Sequence, residues 1–204
     1  MILDIPDSVR TYLKKVFNEV DNRVSTKISS TPNTPEEALD ICFIESLTKF
    51  AGPQVVDANW AVRLSAHFIG SLRHYRRYEI ADIGVVVVFK KGNNVVGRKL
   101  ILLQSKRLYP SNHRVTEFDE LDYQLGLGLV TRSDDHEVPI FSTFEYEFNA
   151  GCVYGALRAN SDQCQAIQAH FEATDIPVQY LFYNPLVLPW SFSYPIEDED
   201  LELP

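Results

Sequence analysis

One stretch, residues 79–106 (EIADIGVVVVFKKGNNVVGRKLILLQSK), constrains the chain more than any other. Its first half runs through Ile83 and four consecutive valines to Phe89, the composition of a pleated and mostly buried strand. Lys90-Lys91-Gly92-Asn93-Asn94 follows, and Gly and Asn tolerate the positive φ that short hairpin loops demand. Residues 95–104 then read as a returning strand. An antiparallel hairpin centred on Asn93 sets Asp82 opposite Gln104; a centre half a residue later would move the partner to Ser105. Side chains alternate along a strand, so Gln104 and Lys106 point the same way. A carboxylate, an amide oxygen and an ammonium are therefore expected to converge at one end of a rigid hairpin.

An acid, then Asp82 at the head of one strand, then Gln104-x-Lys106 at the end of the next resembles the PD-(D/E)xK nuclease superfamily. The Gln-x-Lys form is similar to the Mrr-type restriction branch and to effector nucleases of anti-phage systems such as Lamassu and CBASS. Residues 45–106 carry the resemblance, about a third of the chain. Two departures stand out, since no Pro precedes Asp82 and Gln104 replaces the usual acid. The resemblance implies a restriction-endonuclease-like core and metal-dependent cleavage of DNA. Asp82 and Gln104 would ligate Mg²⁺ or Mn²⁺, with Glu79 as a further carboxylate. Glu45 matches the family's helix carboxylate, and Lys106 would activate water and stabilise charge on phosphate. Gln in place of an acid predicts weaker metal binding and one ion rather than two.

Charge distribution points the same way. The net charge is −9, yet eleven of the 19 Lys and Arg residues lie between Arg63 and Arg114, with only Glu79 and Asp82 among the 28 acids. Phosphate responds to local potential rather than to total charge. Arg73, Arg76 and Arg77, in the cationic and aromatic run RHYRRY, are candidate DNA contacts, as are Arg107 and Arg114 in a polar loop expected over residues 107–116. Gln124 lies on a helix expected over residues 117–131, where family members often place a Gln or Tyr. For Lys90, Lys91, Arg98 and Lys99, a solvated hairpin tip is the simpler reading.

The rest of the chain reads as alternating elements. Residues 7–28 carry Val9, Leu13, Val16, Phe17 and Val20 at helical spacing, with Asp7 as a possible cap. Thr34-Pro35-Glu36-Glu37 is a helix start, and that helix runs to about Phe50 before Ala51-Gly52-Pro53. Ile41, Ile44, Leu47 and Thr48 mark its expected buried stripe, with Glu45 at the edge. Residues 59–78 read as a further helix. Residues 139–148 read as an amphipathic strand with Glu145 and Glu147 on a solvated face, residues 161–174 as a helix, and residues 177–183 as a buried strand. The expected fold is α/β, a mixed central β-sheet flanked by helices.

A single nuclease-like domain is expected over residues 1–195, with an N-terminal helix (1–30) and a core (35–185). Residues 196–204 form an acidic tail or a linker to a further region. Cys42, Cys152 and Cys164 are widely spaced, the start carries acids where a secretory leader would be basic, and the longest apolar run is too short to span a bilayer. A reduced cytoplasmic protein without a membrane partner is expected, working with DNA and with other subunits or copies of itself. The competing function classes are a catalytically inert nuclease-like DNA-binding module and a purely structural assembly domain.

Overall fold

The computed structural model describes residues 4–32, 34–69, 80–111, 144–155, 157 and 161–194. Glu79, Arg73, Arg76, Arg77, Arg114 and Gln124 lie outside these residues, as does the helix expected over residues 117–131.

Two helices open the chain. In α1 (Asp7–Ser30), Val9, Val16, Val20, Val24 and Ile28 are buried along one face. Pro6 occupies the N-cap, so Asp7 sits in the first turn and contributes through the helix dipole rather than as a cap. In α2 (Glu36–Thr48), Pro35 is the N-cap and the Thr34 hydroxyl turns back to donate to the Thr31 carbonyl at 2.7 Å. The buried face of α2 is Leu39, Asp40, Phe43 and Leu47, whereas Ile41 and Thr48 are exposed. The expected stripe is thus rotated. From Ala38 to Ile44 the helix is apolar nearly all round, apart from Asp40, so periodicity alone does not select a face.

The sheet follows. β1 (Gln54–Val55), β2 (Trp60–Phe68), β3 (Ile83–Lys91) and β4 (Asn94–Tyr109) form an antiparallel meander. β2 replaces the first part of the helix expected over residues 59–78. Trp60, Leu64 and Phe68 satisfy helical spacing, but Trp60, Val62, Leu64, Ala66 and Phe68 also alternate, and full-length pairing with β3 decides for the strand. The β3–β4 register sets Ile83 opposite Leu103 and continues to Phe89 opposite Gly97, the register that places Asp82 across from Gln104. A bulge between Phe89 and Lys90 shifts the pairing, and the turn closes over Gly92 at φ +57°. β4 runs on through Arg107, Leu108 and Tyr109, so residues 107–109 are strand rather than part of the polar loop expected over residues 107–116, whose residues from 112 lie outside those described.

β5 (Phe144–Phe148) pairs with β8 (Trp190–Tyr194) in a separate two-stranded sheet, where Phe148 is buried with its ring centroid 5.5 Å from that of Trp190. β6 (Val153–Tyr154) pairs antiparallel with the end of β4. α3 (Asp162–Thr174), capped by the Ser161 hydroxyl, leads to β7 (Val178–Tyr183), which lies parallel to β4 from Leu102 to Arg107. The sheet is therefore mostly antiparallel with one parallel pair. α1 and α2 pack on one of its faces, against Val62, Leu64, Val85, Val87 and Phe89. This is the expected mixed α/β sheet with helices.

Candidate active site

The site arises from a mismatch in strand length. β3 ends at Ile83, whereas β4 continues to Tyr109 and meets β6 only at Leu108. Between those two partners, backbone N–H groups on one edge of β4 meet no strand among the described residues, and a buried donor must find an acceptor. Two carboxylates supply it. Asp82 Oδ2 accepts from the Ser105 N–H at 2.7 Å, and Glu36 Oε2 accepts from the Arg107 N–H at 2.7 Å. Asp82 reaches this position because it directly precedes β3 and its own N–H still bonds the Leu103 carbonyl at 2.8 Å. Glu36 arrives in the first turn of α2.

Around them a dense polar cluster is buried. Asp82 Oδ2 also accepts from the Ser105 hydroxyl at 2.9 Å and from Gln104 Nε2. The same hydroxyl lies 3.1 Å from Asp40 Oδ2, and Asp40 Oδ1 accepts from the Tyr183 hydroxyl at 2.8 Å. One hydroxyl proton cannot serve Asp40 and Asp82 together, so a carboxyl proton is needed to satisfy both contacts. Lys106 Nζ stands 3.6 Å from Glu36 Oε1 with only 5% of the residue exposed.

Burial shapes the electrostatics. The Asp40 carboxyl is pushed up to about 7, chiefly by desolvation and further by the Asp82 charge, against the stabilising bonds from Tyr183 and Ser105. Glu36 is likewise pushed up to about 7 by desolvation, although the Lys106 charge and the Arg107 N–H pull it down. The Tyr183 phenol is held well above its ordinary range, by burial first and then by the Asp40 charge it bonds.

Asp82, Gln104 and Lys106 thus come together at one end of the hairpin. Glu45 does not join them. It lies five residues beyond Asp40, about 140° around the helix, where it is exposed beside Arg23 and Lys27 of α1. Glu36 and Asp40, on the sheet-facing side, supply the helix carboxylates instead. Arg107 is also displaced from its expected role. It is 0% exposed, donates to the Pro32 carbonyl, and stacks its guanidinium 4.9 Å from the Tyr109 ring centroid. It ties the α1–α2 connection to β4 rather than presenting a cation to solvent. Glu36, Asp40 and Tyr183 are not among the site residues the sequence points to, and Ser105 enters there only as an alternative partner of Asp82; the available signal was Asp40, an acid inside an otherwise apolar helical run.

Oxygen donors of the kind hard divalent ions prefer are present. Gln104 is 2% exposed and among the described residues its Oε1 has no hydrogen-bond partner, an acceptor that a cation would satisfy. Asp82 adjoins it, and Glu36 lies across Lys106. Among the described residues no three His, Cys, Asp or Glu side chains form a metal-holding group by themselves, so a set drawn from the described residues would include the amide oxygen. The residues fit a divalent ion on that condition.

No protein-family model, curated protein or solved structure matches the chain. Among the described residues no helix is long and apolar enough to cross a membrane.

Proposed function

We propose that this protein is a metal-dependent DNA endonuclease with a restriction-endonuclease-like core, acting in the cytoplasm as the effector of an anti-phage or restriction system. The observation that carries the reading is the buried Gln104 Oε1, without a hydrogen-bond partner among the described residues, on the side chain whose Nε2 bonds Asp82, at the strand end where the Asp and Gln-x-Lys signature predicts a metal. The mixed sheet flanked by helices supports the same reading.

Asp82, Gln104 Oε1 and Glu36 would hold Mg²⁺ or Mn²⁺. Bound there, the ion would supply Lewis-acid relief of phosphate charge and a more acidic water. The chain's own contribution begins with Lys106, whose ammonium is a preorganised positive charge for a phosphate oxygen. Its partner Glu36 is half-buried, so the ion pair keeps the side chain aimed along the β4 edge. Ser105 and the Ser105 N–H fix the Asp82 carboxylate, leaving its rotamer little freedom. Asp40, with its proton retained towards neutrality, adds hydrogen bonding to Ser105 without adding full negative charge beside an incoming phosphate. Gln104 in place of an acid lowers the negative charge of the donor set, so ion binding is weaker than an all-carboxylate site would give.

Cleavage of plasmid and linear DNA with Mg²⁺ or Mn²⁺, wild type beside Lys106→Ala, tests the reading. Metal-dependent cleavage lost in the variant supports it; equal cleavage by both removes Lys106 from the chemistry. A second reading, an inert nuclease-like module, is favoured by one feature: Asp82 Oδ2 already receives three donors and Lys106 already has an anionic partner. That reading predicts no rise in melting temperature with Mg²⁺ or Mn²⁺, whereas the nuclease predicts a rise that Asp82→Ala removes.

A further inference from the structure

The face of the sheet opposite α1 and α2 carries its own pattern. β2, β3, β4 and β7 contain no Asp or Glu at all. Cross-strand register fixes which side chains share this face. Arg63, Val88 and Arg98 form one row, and Ser65, Val86 and Leu100 form the next. Towards the candidate active site, Gln104 pairs with Tyr180 and Lys106 with Phe182. Leu100 is 47% exposed and Phe182 is 41% exposed. The Phe182 ring stacks with Tyr180 at 6.0 Å and meets Tyr154 at 4.7 Å, so its edge is braced by two neighbours while much of it faces solvent. No described carboxylate pairs with Arg63, Lys90 or Arg98.

We infer that this face is a track for single-stranded DNA, with Phe182 as a base-stacking platform beside Lys106 and Arg63 and Arg98 as phosphate contacts at the far end. The inference rests on the nucleic-acid reading of the Lys106 cluster and names the form of substrate presented to it. Charge complementarity selects a polyanion, because the exposed Arg63 and Arg98 stand on strands that contribute no acid to this face, which α3 meets only at its other end, where Cys164 Sγ lies 3.2 Å from the Tyr180 hydroxyl. The apolar rows select a single strand over a duplex. A duplex offers a flat sheet its phosphates and would leave Val86, Leu100 and Phe182 covered by nothing apolar, whereas unpaired bases have faces that stack on an aromatic ring and cover aliphatic side chains. From Lys106 to Arg98 is eight residues of β4, about 27 Å, and Arg63 lies two strands from Arg98, about 10 Å away. That span suits a strand of several nucleotides.

The test is fluorescence anisotropy of labelled oligothymidine of about ten nucleotides and a duplex of equal length, in EDTA so that no cleavage intervenes. Wild type should bind the single strand more tightly. Phe182→Leu should weaken it about 5- to 100-fold, and Phe182→Trp should restore stacking. The Arg63→Ala/Arg98→Ala double variant should reduce the slope of log affinity against log salt by about 1.4. Equal binding of both DNAs, a Phe182→Leu variant that binds like Phe182→Trp, an unchanged salt slope, or no binding at low salt would each overturn the inference. These arms are separate from cleavage. Phe182-dependent binding without metal-dependent cleavage removes the nuclease reading and keeps the track, and cleavage with Phe182-independent binding does the reverse.

Discussion

The two ends of β4 obey different rules. From Asn94 to Leu100 the strand is mostly exposed, and Arg98 and Lys99 extend into water from a hairpin tip. From Gln104 to Arg107, four consecutive polar or charged residues are all buried. Exposed charge at the tip costs little and stabilises little. Buried charge at the far end must be paired at every step or the fold loses several kcal/mol, on the order of the whole margin of stability. The pairing comes from four separate parts of the chain: Pro32 in the α1–α2 connection, Glu36 and Asp40 on α2, Asp82 before β3, and Tyr183 on β7. Such a cluster needs every partner in place at once, which is the preorganisation a catalytic site requires.

The largest contrast should come from the cations of the two ends. Lys106→Ala should lower metal-dependent cleavage about 100- to 1000-fold, the range for loss of one preorganised charge partner. Lys99→Ala, on the same strand but at the tip, should leave the cleavage rate and melting temperature near wild type. Initial rates on supercoiled plasmid measure the first, and thermal melting checks that both variants are folded. Equal rates for the two would place the chemistry elsewhere.

A second contrast separates the carboxylates of α2. Glu36→Gln should cost at least about tenfold in cleavage and weaken the metal-induced rise in melting temperature, because it removes a charge that faces Lys106. Glu45→Gln should do neither, since that side chain is exposed on the far side of the helix. A metal titration followed by melting distinguishes the pair without relying on turnover.

Stability should also carry the mark of the buried end. Asp40 and Glu36 ionise from ordinary values of 3.8 and 4.5 in the unfolded chain but retain protons to about 7 in the fold. Between these limits the native state binds more protons, so the contribution of both groups to stability falls as pH rises from about 4 to about 7 and is flat above. Asp40→Asn cannot ionise and should show a shallower fall than wild type across that window. The quantity to measure is the difference in melting temperature between wild type and variant from pH 4.5 to 8. A difference that does not change with pH would mean that Asp40 ionises normally.

The sequence revealed the hairpin and its register because both follow from local rules. A β-branched run, a Gly-Asn turn and strict alternation leave few ways to pair, and Asp82, Gln104 and Lys106 come together on that account alone. What it concealed depended on long-range packing. β2 was ambiguous because its apolar residues fit two periods, and only pairing with β3 resolved them. Glu45 matches the family's helix carboxylate at the edge of a stripe through Ile41, Ile44 and Leu47, but α2 is apolar on more than one side, and α1 and the sheet select the face that carries Glu36 and Asp40 instead. Arg107 resembled a phosphate contact by composition, but Pro32, 75 positions away in sequence, claims its guanidinium. Ser105 and Tyr183 are ordinary residues until Asp40 lies against them.

The smallest effect belongs to the tip, and it sharpens the comparison from the other side. Gly92 has φ +57°, and nothing lies within 4 Å of where a Cβ would stand. Any penalty for a side chain there is therefore conformational rather than steric contact with neighbours. Gly92→Ala should cost about 1 kcal/mol, or about 2 to 4 °C in melting temperature for a chain of this size. Gly92→Asn should recover most of it, because Asn tolerates the left-handed region. Cleavage by both should match wild type, since the tip bears on the distant carboxylates only through a register already fixed by seven pairs from Ile83 to Phe89. If Gly92→Ala instead lowered cleavage in proportion to a large loss of stability, the turn would be setting the register, and the two ends of the hairpin would not be independent.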